Sequence, residues 1–434
     1  MEKRSWSSQW GFVAAAAGAA VGLGNIWSFP RYLEQHGAPF LAAYLIMAVL
    51  AGWPLLMAEI AVGRDTGCGA RGAFKELCGS ALPGWAAECA SLLMMGFYSV
   101  LGGCCLRYML INLAGVFSGG AGGGLGLFLG YISNVPLSAL FTVLFIAAAA
   151  VITAAPVRSG LERFSKFAVP LLALMLPGLI ACSLRLPGAE NGIAKMFAVP
   201  EQGGIAGTID MLGDAACQLF FSLSIGQGVM ALYGAYLPRE ASIPKCALAV
   251  VAADTLIAVL AGFAVVPAAE AAGGGGGTMM MFTAMQEVFA SLGSWGAMFG
   301  FLFYLLVLLA ALTSAVSLLE VVGTWAGAKA GRKQAALFAA ALSAVPAIAI
   351  ARDGLGFGAL PEIFGLSWLP AAELASEGIL MPAAALAMAF ALRRRSGSEL
   401  LRRQLGYAAG RCTGLAMRSA AVVLIAAALC ARIL

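Results

Sequence analysis

Asp254 stands in the run ADTLIAVLAG, a stretch otherwise apolar enough to sit in lipid. An ionisable side chain at mid-membrane costs about 2.5–3.5 kcal/mol on insertion scales, so such a residue is either a functional group or a carboxylate held by structural hydroxyls. Two other runs mix polar residues with glycine in apolar surroundings: GAAVGLGN from Gly18 to Asn25, closed by Phe29-Pro30, and FFSLSIGQG from Phe220 to Gly228. Glycine in a helix interior costs about 1 kcal/mol relative to alanine, and it lets carbonyls and amides leave the helical ladder. In lipid each freed group costs several kcal/mol unless a polar partner takes it up. Freed carbonyls suit a cation, and the N-terminal end of a half-helix suits an anion such as a carboxylate. Glycines in this pattern also serve close helix packing, with Asn25 as an interhelical hydrogen bonder. The recurrence five spans apart, in corresponding positions of two halves, favours a binding site between inverted repeats.

Other chemistries find little footing. Gly22-Leu-Gly24 is no nucleotide loop, because no strand precedes it and it lies within a membrane span. The 10 cysteines lack paired spacing and His36 is the single histidine, so a zinc-type site is not expected. Cys104 and Cys105 read as small hydrophobes in helix packing. The glycine stretches from Gly119 to Gly126 and from Gly273 to Gly277 read as flexible connections. Without a nucleophile and base near the glycine-rich runs, a membrane enzyme has no support.

The elements that must position these residues are membrane helices. The chain has 434 residues, 61% hydrophobic and only 11% charged, against roughly 45–50% and 25% in soluble domains. Stretches of about 20 apolar residues recur along its length, leaving no soluble domain. Spans are expected near 9–34, 38–62, 85–117, 136–155, 160–184, 207–236, 242–268, 293–326, 335–351, 371–392 and 412–433, the third and eighth long enough to tilt or protrude. A net charge of +5 does not imply a nucleic-acid partner, because the basic residues follow topology. With the N-terminus inside, one side holds Lys3, Arg4, Arg64, Arg71, Lys75, Arg158, Arg163, Lys166, Arg239, Lys245, Lys329, Arg332, Lys333 and a cluster from Arg393 to Arg411. The other holds Arg31, Arg185, Lys195, Arg352 and Arg432. That asymmetry predicts a multi-pass protein of the cytoplasmic (inner) membrane with its N-terminus in the cytoplasm and an odd number of spans. The first span is too long for a cleaved signal peptide.

These residues resemble the neurotransmitter:sodium symporter family over nearly the whole chain. The resemblance is carried by GAAVGLGNIWSFP from Gly18, WPLLMAEIAVGR around Glu59, GFYSV around Tyr98, GLERFSKFAVP from Gly160 to Pro170, FFSLSIGQG, ADTLIAVLAG, and AALTSAVSLLE from Ala310 to Glu320. It implies an all-α polytopic membrane protein made as one transporter domain, 1–434. Two inverted five-helix repeats, about 9–184 and 207–392, would carry discontinuous helices 1 and 6, and an extra span would follow at about 412–433.

The resemblance also implies ligand sets. One sodium ion would be held by carbonyls of Gly18, Val21 and Ala310 with the hydroxyls of Thr313 and Ser314. A second would use the carbonyl of Ala20, with Asn25, Ser222, Asp254 and the substrate carboxylate. Every side chain in both sets offers oxygen, which hard cations prefer. Chloride-requiring members have a neutral amide where this chain has Asp254, so chloride is not expected as a co-ion. The substrate, a small neutral amino acid, would lie among Ala20, Leu23, Gly24, Met94, Tyr98, Phe221, Ser222, Ser224, Gln227, Ser314 and Leu318. Backbone amides at Leu23 and Gly24 and the Tyr98 hydroxyl would take its carboxylate, with simple packing as the lesser alternative for Tyr98. Carbonyls of Ala20, Phe221 and Ser222 would take its ammonium group. An apolar or aromatic residue is common in place of Gln227, whose buried amide should therefore bond substrate or water. Glu59 would cap freed amides of the broken sixth span, and Glu320 reads as structural.

Gating residues depart from the family pattern. Ser28 replaces the outer-gate arginine, Glu373 aligns with the outer acid, and Arg31 is a candidate substitute. Trp6, Lys3 and Arg4 match the N-terminal latch, but GTWAGAKAGRK lacks the expected aspartate, so the inner gate should rest on Trp6 packing more than on an ion pair. The glycine and proline of Gly160 to Pro170 either let this segment open to water or make a static kink. Sodium-coupled amino-acid symport is the leading reading, and a sensor binding the same ligands without net transport is the alternative.

Overall fold

A helix runs through lipid only while each amide finds its carbonyl, so the interruptions decide the architecture. The structure is a computed structural model describing residues 6–119, 124–200, 204–271, 280–327, 329–356 and 360–418. Among these the secondary structure is helical throughout, apart from one bridge between Ile363 and Leu366. Lys3, Arg4, Gly273 to Gly277, Gly120 to Gly123 and Arg432 lie outside the described residues.

The first span comprises α1 (Gln9–Ala20), a π-turn (Gly24–Ser28) and the opening part of α2 (Phe29–Met47). Gly37 breaks α2 with φ +61, because the Ala198 carbonyl fills the space a side chain would need and accepts the Ala38 amide at 2.9 Å. The rest of α2, a second π-turn (Ala48–Gly52) and α3 (Trp53–Thr66) make the second span, which ends beyond its hydropathy edge at 62. After α4 (Ala70–Cys78) comes the third span, α5 (Leu82–Ser118). Helices α6 (Gly124–Ile132), α7 (Val135–Ala154), α8 (Leu161–Ser183) and α9 (Ala189–Phe197) supply spans four and five with their flanking pieces. The sixth span is split into α10 (Gly204–Ser222) and α11 (Val229–Ala235). Then follow α12 (Ile243–Ala271), α13 (Met285–Ser291), α14 (Gly296–Gly323) and α15 (Arg332–Arg352). The tenth span consists of α16 (Trp368–Glu373), a π-stretch (Leu374–Leu380) and α17 (Met381–Leu392), before α18 (Arg395–Leu405) and α19 (Tyr407–Arg418). The predicted eleventh span begins within α19, and its remainder lies outside the described residues.

Eight helical stretches among the described residues are long and apolar enough to cross a membrane; α1 and α11 fall outside that set because the breaks leave them short, and α10 because Asp210, Asp214 and Gln218 lower its hydropathy. The apolar windows of α5 and α14 are each 78% buried, whereas those of α7, α8 and α15 are 33%, 28% and 33% buried. The first pair therefore forms the centre, where α5 packs along α14, and the others face lipid. At about 1.5 Å per residue, the 37 residues of α5 exceed a 30 Å hydrocarbon core, as its length predicts.

In this conformation Gly160 to Pro170 is closed: α8 starts directly after Gly160 and runs through Pro170 as helix. Glu162 on it accepts the Ser7 amide at 2.9 Å and pairs with Lys166, which ties the segment down in this conformation.

Candidate functional site

Both interruptions lie deep in the bundle, where α1 packs against α12 and α14. Val21 leaves α1 with ψ 96, so its carbonyl turns out of the helical ladder. Between α10 and α11 the chain takes positive φ at Ser224 (54), Gly226 (78) and Gly228 (79). For serine this region is unusual, and the conformation is held by a hydrogen bond from Ser224 Oγ to Ala19 O at 3.2 Å. Gly226 is pressed against the Met381 backbone, and its amide donates to Glu59 Oε2 at 3.2 Å. Glu59 thus caps a freed amide of the broken span.

Asp254 is fully buried and is the meeting point of four spans. Asn25 Nδ2 donates to Asp254 Oδ1 at 2.8 Å, and Ser222 Oγ donates to the same carboxylate at 2.8 Å. Tyr44 OH donates to Oδ2 at 3.2 Å. Asn25 Oδ1 in turn accepts the Gly22 amide at 3.1 Å, which fastens the side chain to the unwound turn. The sequence reading named Asn25, Ser222 and Asp254 but missed Tyr44, whose only signal was a phenol in mid-span.

A second cluster joins α1 to α14. Thr313 Oγ1 donates to Ala310 O at 2.8 Å, and Ser314 Oγ lies 3.2 Å from Ala19 O and 3.4 Å from Ala310 O. Gly18 faces Thr313 and also Ser165 of α8, a hydroxyl that sequence reasoning did not single out. Hydroxyls that donate to carbonyls can rotate and present lone pairs instead, so this oxygen cluster can exchange its internal bonds for a cation.

The residues expected around a substrate are all buried. Gly24 lies against the Phe221 ring so closely that an added Cβ would sit 2.7 Å from it, and a Cβ on Gly22 would sit 2.7 Å from the Tyr98 hydroxyl. Tyr98 meets Phe221 edge to face at 6.0 Å. Met94, one turn before Tyr98, accepts from Gln227 Nε2 at 3.2 Å, and Leu318 lies one turn beyond Ser314 on α14. Ala20 and Leu23 flank the Val21–Gly22 break. Gln218, also missed, ties α10 to this turn: its Nε2 donates to Gly24 O at 3.1 Å, and its Oε1 accepts from Ser28 at 2.8 Å.

A family model described as the sodium:neurotransmitter symporter family matches residues 3–119 and 134–345. The chain belongs to that family. This symporter-family chain is 34% identical over 410 residues to an uncharacterized sodium-dependent transporter of Bacillus subtilis, covering 91% of this chain and 89% of that one. It is 29% identical over 351 residues to an uncharacterized sodium-dependent transporter of Methanocaldococcus jannaschii, covering 74% and 69%. The crystal structure of MhsT in complex with L-phenylalanine superimposes with a TM-score of 0.89 at 32% identity, covering 99% of each chain. The protein is therefore a multi-pass, sodium-dependent membrane transporter with a small-molecule substrate, not an enzyme, and its fold has inverted five-helix repeats with discontinuous helices 1 and 6.

The two ends of the transporter differ. On the N-terminal side Trp6 is 2% exposed, donates from Nε1 to Tyr233 O at 3.0 Å, and packs between Phe12, Tyr233 and Tyr236. That end is shut by aromatic packing, backed by Glu320, which accepts both Arg332 guanidinium nitrogens at 2.9 and 3.0 Å. The opposite end opens into a cavity of about 420 Å³ lined by Trp27, Arg31, Phe221, Glu373 and Glu377. Arg31 stacks over Tyr32 at 4.7 Å while sharing this cavity with Glu373. Ser28 points inward to Gln218 and so serves the core network.

Proposed function

We propose that this chain is a sodium-coupled symporter of a small neutral amino acid that works by alternating access. The observation that carries this reading is the convergence of Asn25 and Ser222, one from each interrupted span, on the buried carboxylate of Asp254. A buried carboxylate held by neutral donors alone is poorly compensated, and a cation among these oxygens would complete it. One sodium would use Asn25, Ser222, Asp254 and the Ala20 carbonyl. A second would use Gly18, Val21, Ala310, Thr313 and Ser314. The amino acid would lie beside Leu23, Gly24, Tyr98 and Phe221, with its carboxylate toward the first sodium. Each then binds better with the other present, which is the coupling.

The remaining features fit the same scheme. The L-phenylalanine of the MhsT complex supports an amino acid as the substrate class. Because Asp254 brings its own negative charge, no chloride is required. The basic residues favour a cytoplasmic-membrane protein with its N-terminus in the cytoplasm, so the Trp6 end is the inner gate and the Glu373 cavity the outer vestibule. The whole of 1–434 acts as one domain, with repeats at about 9–184 and 207–392.

The test is accumulation of labelled amino acids by proteoliposomes under an inward sodium gradient. Symport predicts accumulation that stops when choline replaces sodium. Sodium-dependent binding without accumulation would instead make the protein a sensor.

A further inference from the structure

Gln227 is 1% exposed in the turn joining α10 to α11, and its carboxamide is only half satisfied. Nε2 donates to Met94 Sδ at 3.2 Å and to Met381 Sδ at 3.5 Å. Oε1 is buried without a hydrogen-bond partner. Turning the amide over would set Oε1 against two sulfur lone pairs and strand both N–H groups, so the donor end belongs on the thioethers and the acceptor end is the free one. The backbone beneath is pinned, because Ser91 Oγ donates to Gln227 O at 2.8 Å and Gly226 abuts the Met381 carbonyl. The orphaned oxygen is therefore held in place in the buried turn between α10 and α11.

Its surroundings place it at the side-chain end of the proposed substrate site. Met94 is one turn from Tyr98 on α5, while Met381 is one turn from Glu377, which shares the outer cavity with Phe221. Two polarizable thioethers fill space without specifying shape, and the amide that donates to them leaves its oxygen to specify chemistry.

We infer that Gln227 selects amino acids whose side chain carries an uncharged N–H or O–H donor over partners of matching size that lack one. This rests on the symport reading and narrows its substrate class. The donor of a hydroxyl, carboxamide or indole side chain satisfies Oε1, whereas an aliphatic side chain excludes water and leaves the oxygen bare. Discrimination by a buried group left unpaired is larger than discrimination by size alone.

Binding to the full-length protein in sodium is compared for four matched pairs: threonine with valine, asparagine with leucine, glutamine with methionine, and tyrosine with phenylalanine. The donor-bearing member of at least one pair is expected to bind about tenfold or more tightly, and Gln227→Met is expected to erase or invert that ratio. Equal or reversed affinities in all four pairs, or a preference that survives in both Gln227→Met and Gln227→Leu, would overturn the inference alone. Failure of all eight amino acids to bind in sodium would overturn the symport reading together with it.

Discussion

Asn25 and Asp254 are 229 positions apart in the chain, yet their amide and carboxylate meet at 2.8 Å in the fully buried centre of the molecule. Ser222 and Tyr44 are the other donors to that carboxylate, so three neutral groups face one negative charge. Replacing the charge with a neutral isostere should therefore act oppositely on the two ion states. Asp254→Asn is expected to leave sodium-free protein as stable as the wild type or more so, since an uncompensated buried charge is removed. Its sodium affinity should fall by at least about tenfold. Unit charges about 4 Å apart at an effective dielectric of about 20 attract by about 4 kcal/mol, and only about 1.4 kcal/mol is needed for a factor of ten. Thermal unfolding against sodium concentration checks both effects. A variant with the wild-type sodium response would remove Asp254 from the ion site.

Trp6 packs across the closed N-terminal end in this conformation, so in the proposed gating scheme its loss should shift an equilibrium as well as weaken packing. Removing a buried tryptophan side chain costs about 3–5 kcal/mol. Trp6→Ala is expected to speed amide exchange in α1 and α11 and to lower uptake while equilibrium sodium binding persists. Exchange as slow as in the wild type would show that Trp6 packs without gating.

Glycine and polar residues inside apolar runs made the broken spans legible, because lipid tolerates freed backbone only where something binds it. Asp254 was legible for the same reason. Tyr44 and Gln218 were not, since a single polar side chain in a span acquires meaning only from a partner on another helix, here Asp254 and Gly24. The π-turns at Gly24–Ser28, Ala48–Gly52 and Leu374–Leu380 add one residue per turn and leave the apolar pattern almost unchanged, so hydropathy passes over them. Gly160 to Pro170 fitted either opening or a static kink, and the bond by which Ser7 holds Glu162 on that segment is invisible in the local sequence.

Glu59 is buried beside the turn of the sixth span, and its carboxylate accepts the Gly226 amide. Glu59→Leu should orphan that donor and destabilise the protein by about 1–3 kcal/mol, the penalty of one buried unpaired amide. Glu59→Gln retains an acceptor oxygen and should lose less. Denaturant titration in detergent compares the pair. Equal losses would mean that the size of the side chain matters there and its oxygen does not.

Chloride replacement tests the charge balance of the whole site. In the proposed scheme two sodium ions and a zwitterionic amino acid would carry a net charge of plus two into a buried region. In that scheme an ionised Asp254 would offset one unit, so a mobile anion beside it would meet like-charge repulsion and not a vacancy. Uptake by proteoliposomes at constant sodium should therefore be the same in chloride and in gluconate. Loss of uptake in gluconate would mean that Asp254 is neutral during transport and that chloride supplies the negative charge assigned here to its carboxylate. The sodium and pH dependences of uptake would then have to move together, whereas a permanently ionised Asp254 keeps them separate.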